Sequence, residues 1–185
     1  MTPRCNPDNS LTIGKRMAFL GLAFSLLLLR VYPVHAVSKT ANITVTATLV
    51  PTCIAGTLVG GVTSFGNLNF GSASVLNLPI SVTGQTNNGA ISVQCSNKTS
   101  FSVLLNGGQS GNVSSRYLMG GPSNQHVNYN LYTDAAHSQV WNNTVGVAQI
   151  ATGQPVSLIV YGLIPAQSTP AAGVYTDTIQ VTINW

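Results

Sequence analysis

Few residues in this chain have the types and spacing needed for acid–base or nucleophilic chemistry. It contains three acidic residues, all aspartate, which leaves very few carboxylates to form the pair required for glycoside hydrolysis. His126, Asp134 and His137 lie close together in sequence, but no serine stands in a nucleophile-elbow motif that would complete a triad. We therefore predict no enzyme and no catalytic residues. The two histidines are expected at surface or turn positions, and Asp134 is expected to cap a turn.

The N-terminal part of the chain has the features of an export signal. Lys15 and Arg16 precede an apolar run, residues 17–29, and the small-residue motif "VHA" follows at residues 34–36. The apolar run is short for a permanent membrane anchor, and Arg30 interrupts it. The pattern predicts a secretory signal over residues 1–36, cleaved after Ala36, and no permanent membrane anchor.

Two cysteines, Cys53 and Cys95, remain after this segment is removed. An even pair in an exported chain is typical of a disulfide, and the spacing of the cysteines does not match a zinc motif. The remaining charged residues are Lys39, Lys98 and Arg116 against Asp134 and Asp177, a net charge of 3 − 2 = +1. This balance leaves no basic patch for nucleic acid, and nothing in the sequence calls for a metal or another cofactor.

The exported part of the chain has the pattern of an all-β domain. Alternating apolar residues separated by Gly-, Asn- and Ser-rich turns predict seven or eight short strands, as in a β-sandwich. The run "VSLIVYGLI", residues 156–164, is almost continuously apolar and is predicted to be one central strand covered on both faces. The most regular alternation outside the N-terminal region is in "GVYTDTIQVTINW", residues 173–185. Its apolar positions are Ile179, Val181, Ile183 and Trp185.

A second strongly alternating strand, "ANITVTATLVPTC", precedes the domain. One face of this strand is apolar and the other consists of Asn42 and three threonines. The apolar positions are Ala41, Ile43, Val45, Ala47 and Leu49. Two interpretations are open from the pattern alone. The segment is either the first strand of a self-contained sandwich or a donor strand that adds to an exposed sheet edge of another molecule.

The order of several motifs resembles the spore coat protein U domain family, which includes the Csu-type pilins of the archaic chaperone–usher pathway. The resemblance covers the whole exported chain. It is most specific in the closing "GVYTDTIQVTINW" and in "YNLYTD", residues 129–134, with support from "FGNLNFG", "ISVQC" and "VYGLIPA".

This resemblance implies an incomplete immunoglobulin-like β-sandwich that a donor strand from a neighbouring subunit completes. Residues 37–50 would be the donor-strand extension, and residues 51–185 the pilin domain. The five apolar positions from Ala41 to Leu49 match the family's donor residues, and Cys53 and Cys95 match its disulfide pair. The strand from Ile179 to Trp185 would form one wall of the open groove and contact the chaperone.

The function that the resemblance implies is structural. The chain would be a pilus subunit that polymerises head to tail by donor-strand exchange and supports adhesion and biofilm formation. Its partners would be a periplasmic chaperone, an outer-membrane usher and other pilin subunits, and its final location the cell surface. The alternative is a secreted, self-contained β-sandwich with a spore-coat-like structural role or a carbohydrate-binding role. For the second role, Trp141 is the aromatic residue that the sequence places in a loop, free to contact a ligand.

Overall fold

Short strands joined by turns make up the computed structural model, which describes residues 38–185. The predicted signal peptide, residues 1–36, lies outside the described residues. The strands are β1 (Cys53–Ala55), β2 (Thr57–Val59), β3 (Val62–Ser64), β4 (Ile80–Thr83), β5 (Gln85–Thr86), β6 (Gly89–Cys95), β7 (Ser100–Leu105), β8 (Arg116–Gly120), β9 (Gln125–Tyr132), β10 (Val147–Ile150), β11 (Val156–Leu158), β12 (Tyr161–Ile164), β13 (Tyr175–Thr176) and β14 (Val181–Asn184). The predicted all-β class is confirmed.

The strands form curled sheets around one core. Their orders are β1-β6-β11, with β5 also beside β6; β10-β7-β14; and β13-β8-β9-β12-β4. Strands β2 and β3 form a separate two-stranded hairpin. All of these pairs are antiparallel except β5 with β6. Antiparallel pairing lets short turns join neighbouring strands, which suits a chain rich in glycine and asparagine.

The core consists of alternate side chains from strands of all three larger sheets. Residues of β6, β7 and β9 contribute most of it, including Ile91, Val103 and Leu131, which are almost completely buried. The alternation in "VNYNLYTD" predicts one face with Val127, Tyr129 and Leu131, and these residues of β9 are buried whereas Tyr132 is half-buried. Period-two alternation therefore places one face of each strand in the core.

Two strands differ from the sequence prediction. The run 156–164 forms not one strand but two, because β11 pairs with β6 whereas β12 pairs with β9 and β4. The chain changes sheet at Ile159 and Val160, so the apolar run reflects a passage through the core from one sheet to another. The alternation in "LNLPISVTG" predicts a strand from Leu76 to Gly84 with Leu78 on its inward face, but the strand begins only at Ile80, after Pro79, and Leu78 is exposed. Proline lacks the N–H that a strand would use there.

The chain divides into two units, residues 1–46 and 47–185. The described residues of the first unit have no strand assignment, and their side chains are exposed. No helix within residues 38–185 is long and apolar enough to cross a bilayer.

Candidate functional site: an open apolar groove

A groove of about 810 Å³, with a mostly apolar lining, opens on the sandwich. One wall is the strand β14 with the residues that precede it, and the other is β1 with β3 and the chain that follows β3. Within residues 38–185, β14 pairs only with β7 and β1 only with β6. The groove therefore lies between two sheet edges that have no described neighbour.

The β14 wall has the alternation that the sequence predicts. Ile179, Val181 and Ile183 line the groove and are half-buried, while the residues between them are exposed. Trp185 also lines the groove, at the end of this wall, with 61% of its surface exposed. The four residues predicted for the groove strand are thus brought together along one wall.

The opposite wall was largely missed from the sequence. Phe65, Leu68 and Phe70 line it, although "FGNLNFG" forms no continuous strand and adds only an isolated bridge at Gly66. One sequence feature points to these residues: apolar and aromatic residues alternate in "FGNLNFG". The alternation resembles that of a strand, but glycines interrupt it. The ring of Phe70 packs edge-on against Tyr129, with centroids 5.9 Å apart.

Core side chains form the floor of the groove. Leu105, Tyr129 and Leu131 line it and belong to the central hydrophobic cluster. The groove therefore leads directly to side chains of the core, whereas in a sandwich the two sheets cover the side chains between them. The missing strand that the family resemblance implies stays a prediction.

The disulfide fixes the edge strand β1. Cys53 lies directly opposite Cys95 in the register of β1 and β6, and the two are joined, closing a loop with a sequence separation of 42. Because β1 has three residues and one described neighbour, few backbone hydrogen bonds hold it. The covalent link compensates for that short pairing.

Asp177 is the one charged side chain among the described residues that line the groove. Its Oδ2 accepts a hydrogen bond of 2.7 Å from the Tyr129 hydroxyl, and its Oδ1 accepts bonds from the amides of Gln109 and Thr178. Burial, followed by this bond to Asp177, raises the pKa of Tyr129 well above its ordinary value. The carboxylate thus ties the start of the β14 wall to the floor.

A buried arginine supports the same region, and no sequence pattern predicts its burial. The Arg116 side chain has no exposed surface and donates to the carbonyls of Asn106, Leu105, Trp141 and Val113 and to the Asn130 side chain. Burial lowers the pKa of Arg116, while Tyr129 and Asp177 act in the opposite direction. The guanidinium thus gives hydrogen-bond donors to carbonyls at the end of β7 and in the segments near residues 106, 113 and 141.

The prediction that Trp141 is free to contact a ligand is wrong. Trp141 is 1% exposed, and its indole N–H donates to the Val103 carbonyl over 2.9 Å. Large aromatic side chains with one polar atom are favourable in a core when that atom finds a partner. No other observation supports a carbohydrate-binding platform at this loop.

The histidines and Asp134 lie apart from the groove lining. His126 stacks on Tyr117 with centroids 3.9 Å apart, and His137 lies in a turn with a positive φ of 54°. Asp134 accepts bonds from the amides of Ser138 and Gln139, as expected for a turn cap. Within residues 38–185, no cluster of three or more His, Cys, Asp or Glu side chains is arranged to hold a metal.

The predicted donor positions are in an exposed segment. Ile43, Val45 and Leu49 are each more than 85% exposed, and residues 38–50 have no strand assignment. These apolar side chains are therefore exposed to water, which is unfavourable unless another surface covers them.

Comparison with known proteins gives the family. The model of the Spore Coat Protein U domain matches residues 39–182. "Protein U" of Myxococcus xanthus is 31% identical over 163 residues, which is 83% of this chain and 88% of that protein. Among solved structures, the chaperone–tip adhesion subunit pre-assembly complex CsuC–CsuE, from the archaic chaperone–usher Csu pili of Acinetobacter baumannii, has a TM-score of 0.47 and 23% identity. That similarity covers 75% of this chain and 40% of the other. From its family match and its relative, this chain belongs to the Spore Coat Protein U domain family, as the sequence motifs predicted.

Proposed function

We propose that this chain is a structural subunit of a chaperone–usher pilus that polymerises by donor-strand exchange. Residues 41–49 of one molecule fill the groove of another, and Ala41, Ile43, Val45, Ala47 and Leu49 face the groove floor. The observation that carries this proposal is the open apolar groove between two sheet edges without described neighbours.

The energetics of strand addition favour this assignment. Each buried Ile, Val or Leu side chain of the donor would contribute roughly 1.5–3 kcal/mol, and the alanines less. Backbone hydrogen bonds along the edge of β14 would fix the register, because a slip of one residue would place threonines in the core. The threonine face is suited to the solvent side of the added strand.

The same groove explains the need for a chaperone. An apolar groove with unpaired edges is a site for non-specific aggregation until another strand covers it. We infer that a periplasmic chaperone covers the β14 wall, at Ile179, Val181, Ile183 and Trp185, after export by the signal in residues 1–36. An outer-membrane usher then exchanges the chaperone for residues 37–50 of the next subunit at the cell surface.

The proposed role is mechanical and not catalytic: it provides a fibre for surface adhesion and biofilm formation. A spore-coat-like assembly is the second candidate, favoured by the description of the family and by the relative from Myxococcus xanthus. The second candidate is a self-contained sandwich that needs no donor strand, so the first experiment tests groove filling itself.

The experiment refolds the exported chain, residues 37–185, from denaturant with an excess of a peptide of residues 38–50. The matched control is the same peptide with Val45→Asp. With the unmodified peptide, we expect monomers by light scattering and a blue shift of tryptophan emission. Of the two tryptophans, Trp185 is exposed at the groove, whereas Trp141 is already buried. With the control peptide, the chain should form polymers. Identical behaviour with both peptides would refute the proposal.

A further inference from the structure

We propose that the hairpin β2–β3, residues 57–64, is a second contact surface, against which the body of the next subunit docks. That subunit is a second copy of this chain, the one whose residues 41–49 fill the groove. The inference rests on the proposed function and adds a contact between the folded bodies to the contact within the groove.

The hairpin is an exposed apolar ribbon on a fixed base. Leu58, Val59 and Val62 are 77%, 64% and 69% exposed. Within residues 38–185, neither strand pairs with a third strand, and a two-stranded hairpin is marginally stable in water unless it packs on something. Its two-residue turn is Gly60–Gly61, where both φ angles are positive. Its base is held by the bond from the Gly56 amide to the Ser92 carbonyl, 2.9 Å long.

The strand registers place this hairpin at one end of the groove. Strands β6 and β7 are joined through residues 96–99, so Cys95 and Ser100 lie at one end, called here the disulfide end. Gly89 and Leu105 lie at the other, called here the hairpin end. Strand β1 starts opposite Cys95 and leads toward β2, and β14 starts opposite Leu105 and leads toward Trp185. Asp177 and the hairpin are therefore at the hairpin end, and Trp185 is at the disulfide end.

The length of the connection forces the two bodies close together. Residues 50–52 alone separate Leu49, the last predicted donor residue, from Cys53, the first residue of β1. An extended connection of this length spans at most about 14 Å. Whichever end of the groove Leu49 leaves, the body of the molecule that provides the strand must lie directly against that end.

The direction of the donor strand follows from its pairing. Apolar surface is exposed at both ends: at Val50, Ile54 and Trp185 beside the polar turn of residues 96–99, and at the ribbon on the hairpin end. An antiparallel pair is slightly more stable than a parallel one. The donor strand therefore runs antiparallel to β14, and Leu49 leaves at the hairpin end.

The partner offers a matching apolar surface next to its own connection. Val50 and Ile54 are 70% and 65% exposed and flank the point where the connection enters β1. They belong to the disulfide end of that molecule, so the contact joins the hairpin end of one copy to the disulfide end of the next. Such a head-to-tail interface uses two different surfaces and generates a fibre.

The test compares two samples of the exported chain by carbene footprinting with mass spectrometry. In one, the peptide of residues 38–50 fills the groove without bringing a body; in the other, the chain has polymerised. We expect labelling of Leu58 and Val59, which do not line the groove, to fall several-fold in the polymer relative to the peptide-filled monomer. Trp185 should be protected in both samples. Val145 is the control, since it is 72% exposed on the far side of β7 from β14.

The outcomes separate the two proposals. If Trp185 stays labelled with the peptide present and in the polymer, the groove is not filled and the proposed function fails. If Trp185 is protected in both samples while the hairpin is labelled equally, the docking contact is refuted and the proposed function stands. In the polymer, Leu58→Lys should return labelling of Val59 to the level of the monomer, with Trp185 still protected. Val145→Lys should leave the pattern unchanged.

Discussion

The alternation of residues 41–49 makes a prediction that single substitutions can test. Val45→Asp or Ala47→Asp would place a charge against the groove floor, where an unpaired charge is costly, so polymerisation should stop. Thr46→Asp changes the opposite face and should have little effect. The measurement is polymer length by electron microscopy after assembly with the chaperone. The subunit–chaperone complex should form equally with all three variants, because the chaperone supplies its own strand. If Val45→Asp and Thr46→Asp behave alike, the assignment of faces is wrong.

Asp134 gives a pH-dependent prediction of known sign. Hydrogen bonds from the amide of Ser138, then from that of Gln139, lower the pKa of this carboxyl in the folded state. A lowered folded pKa contributes stability above the unfolded value, and this contribution is lost as the pH falls through the folded pKa. Asp134→Asn should therefore lower the melting temperature at pH 7, and the difference from the unmodified chain should shrink below about pH 4.

Thermal unfolding followed by circular dichroism at several pH values measures this difference. Ser138→Ala is the matched control, since it removes the hydroxyl bond and keeps both amide donors. It should retain the acid dependence of the unmodified chain. A constant difference between Asp134→Asn and the unmodified chain from pH 7 to pH 3 would contradict the prediction.

Individual residues also show what the sequence could not reveal. Arg116 belongs to a residue type that is usually exposed, and its burial depends on carbonyls from three separate loops and strands. Trp141 stands among polar residues in "SQVWNNT", yet its ring enters the core. Local pattern cannot predict either position, because both depend on contacts between residues distant in sequence.

Among the structural elements, the segment after β3 depends on glycine. Gly66 has a φ of 83°, and a Cβ atom there would overlap the backbone carbonyl of Asn87. Gly71 has a similar φ of 80°, but nothing lies within 4 Å of a Cβ atom placed there. Gly71→Ala should cost about 1–2 kcal/mol from the positive φ alone. Gly66→Ala should cost clearly more, because the groove wall must also shift. Urea denaturation of both variants measures the difference, and equal losses would show that the close contact is relieved without cost.

The disulfide should matter most for the edge strand β1. Replacing Cys53 and Cys95 together with alanine should lower the free energy of unfolding by about 4 kcal/mol in the chain-entropy model. Because β1 has only β6 as a described neighbour, we also expect weaker binding of the peptide of residues 38–50. Urea denaturation and fluorescence titration measure the two effects. Unchanged peptide affinity in the double variant would mean that backbone pairing alone maintains this wall.

Strands with a regular alternation of apolar and polar residues could be predicted from the sequence, whereas segments without that alternation could not. The alternation within residues 173–185 matches the alternation of half-buried and exposed residues from Ile179 to Asn184, because an edge strand with one solvent face keeps a period of two. The apolar run 156–164 was misassigned as one strand because both of its faces are covered, which removes the alternation that would have shown the change of sheet. The opposite wall, with Phe65 and Phe70, is irregular, so no strand pattern could locate it.

At the scale of the whole molecule, the groove exposes the core, and residues 37–50 form a separate segment with an apolar face. Removing or relocating this segment should therefore change the stability of the protein. A form lacking residues 37–50 should aggregate or be unstable, since its groove stays open. A form in which the same segment follows Trp185 through a short flexible linker should be a monomer with a much higher melting temperature. In this form, the donor strand fills the groove within one molecule, and the cost of bringing two molecules together disappears. Size-exclusion chromatography and differential scanning calorimetry provide the two measurements.

The matched control for this rearrangement places a segment with Val45→Asp behind the same linker. It has the same length and connection, so any gain that survives the substitution comes from the linker and not from the apolar face. We expect the control to behave like the truncated form. A truncated form that is already a stable, soluble monomer, and that gains nothing from the added segment, would mean that the sandwich is complete without a donor. The assignment would then pass to the self-contained secreted module.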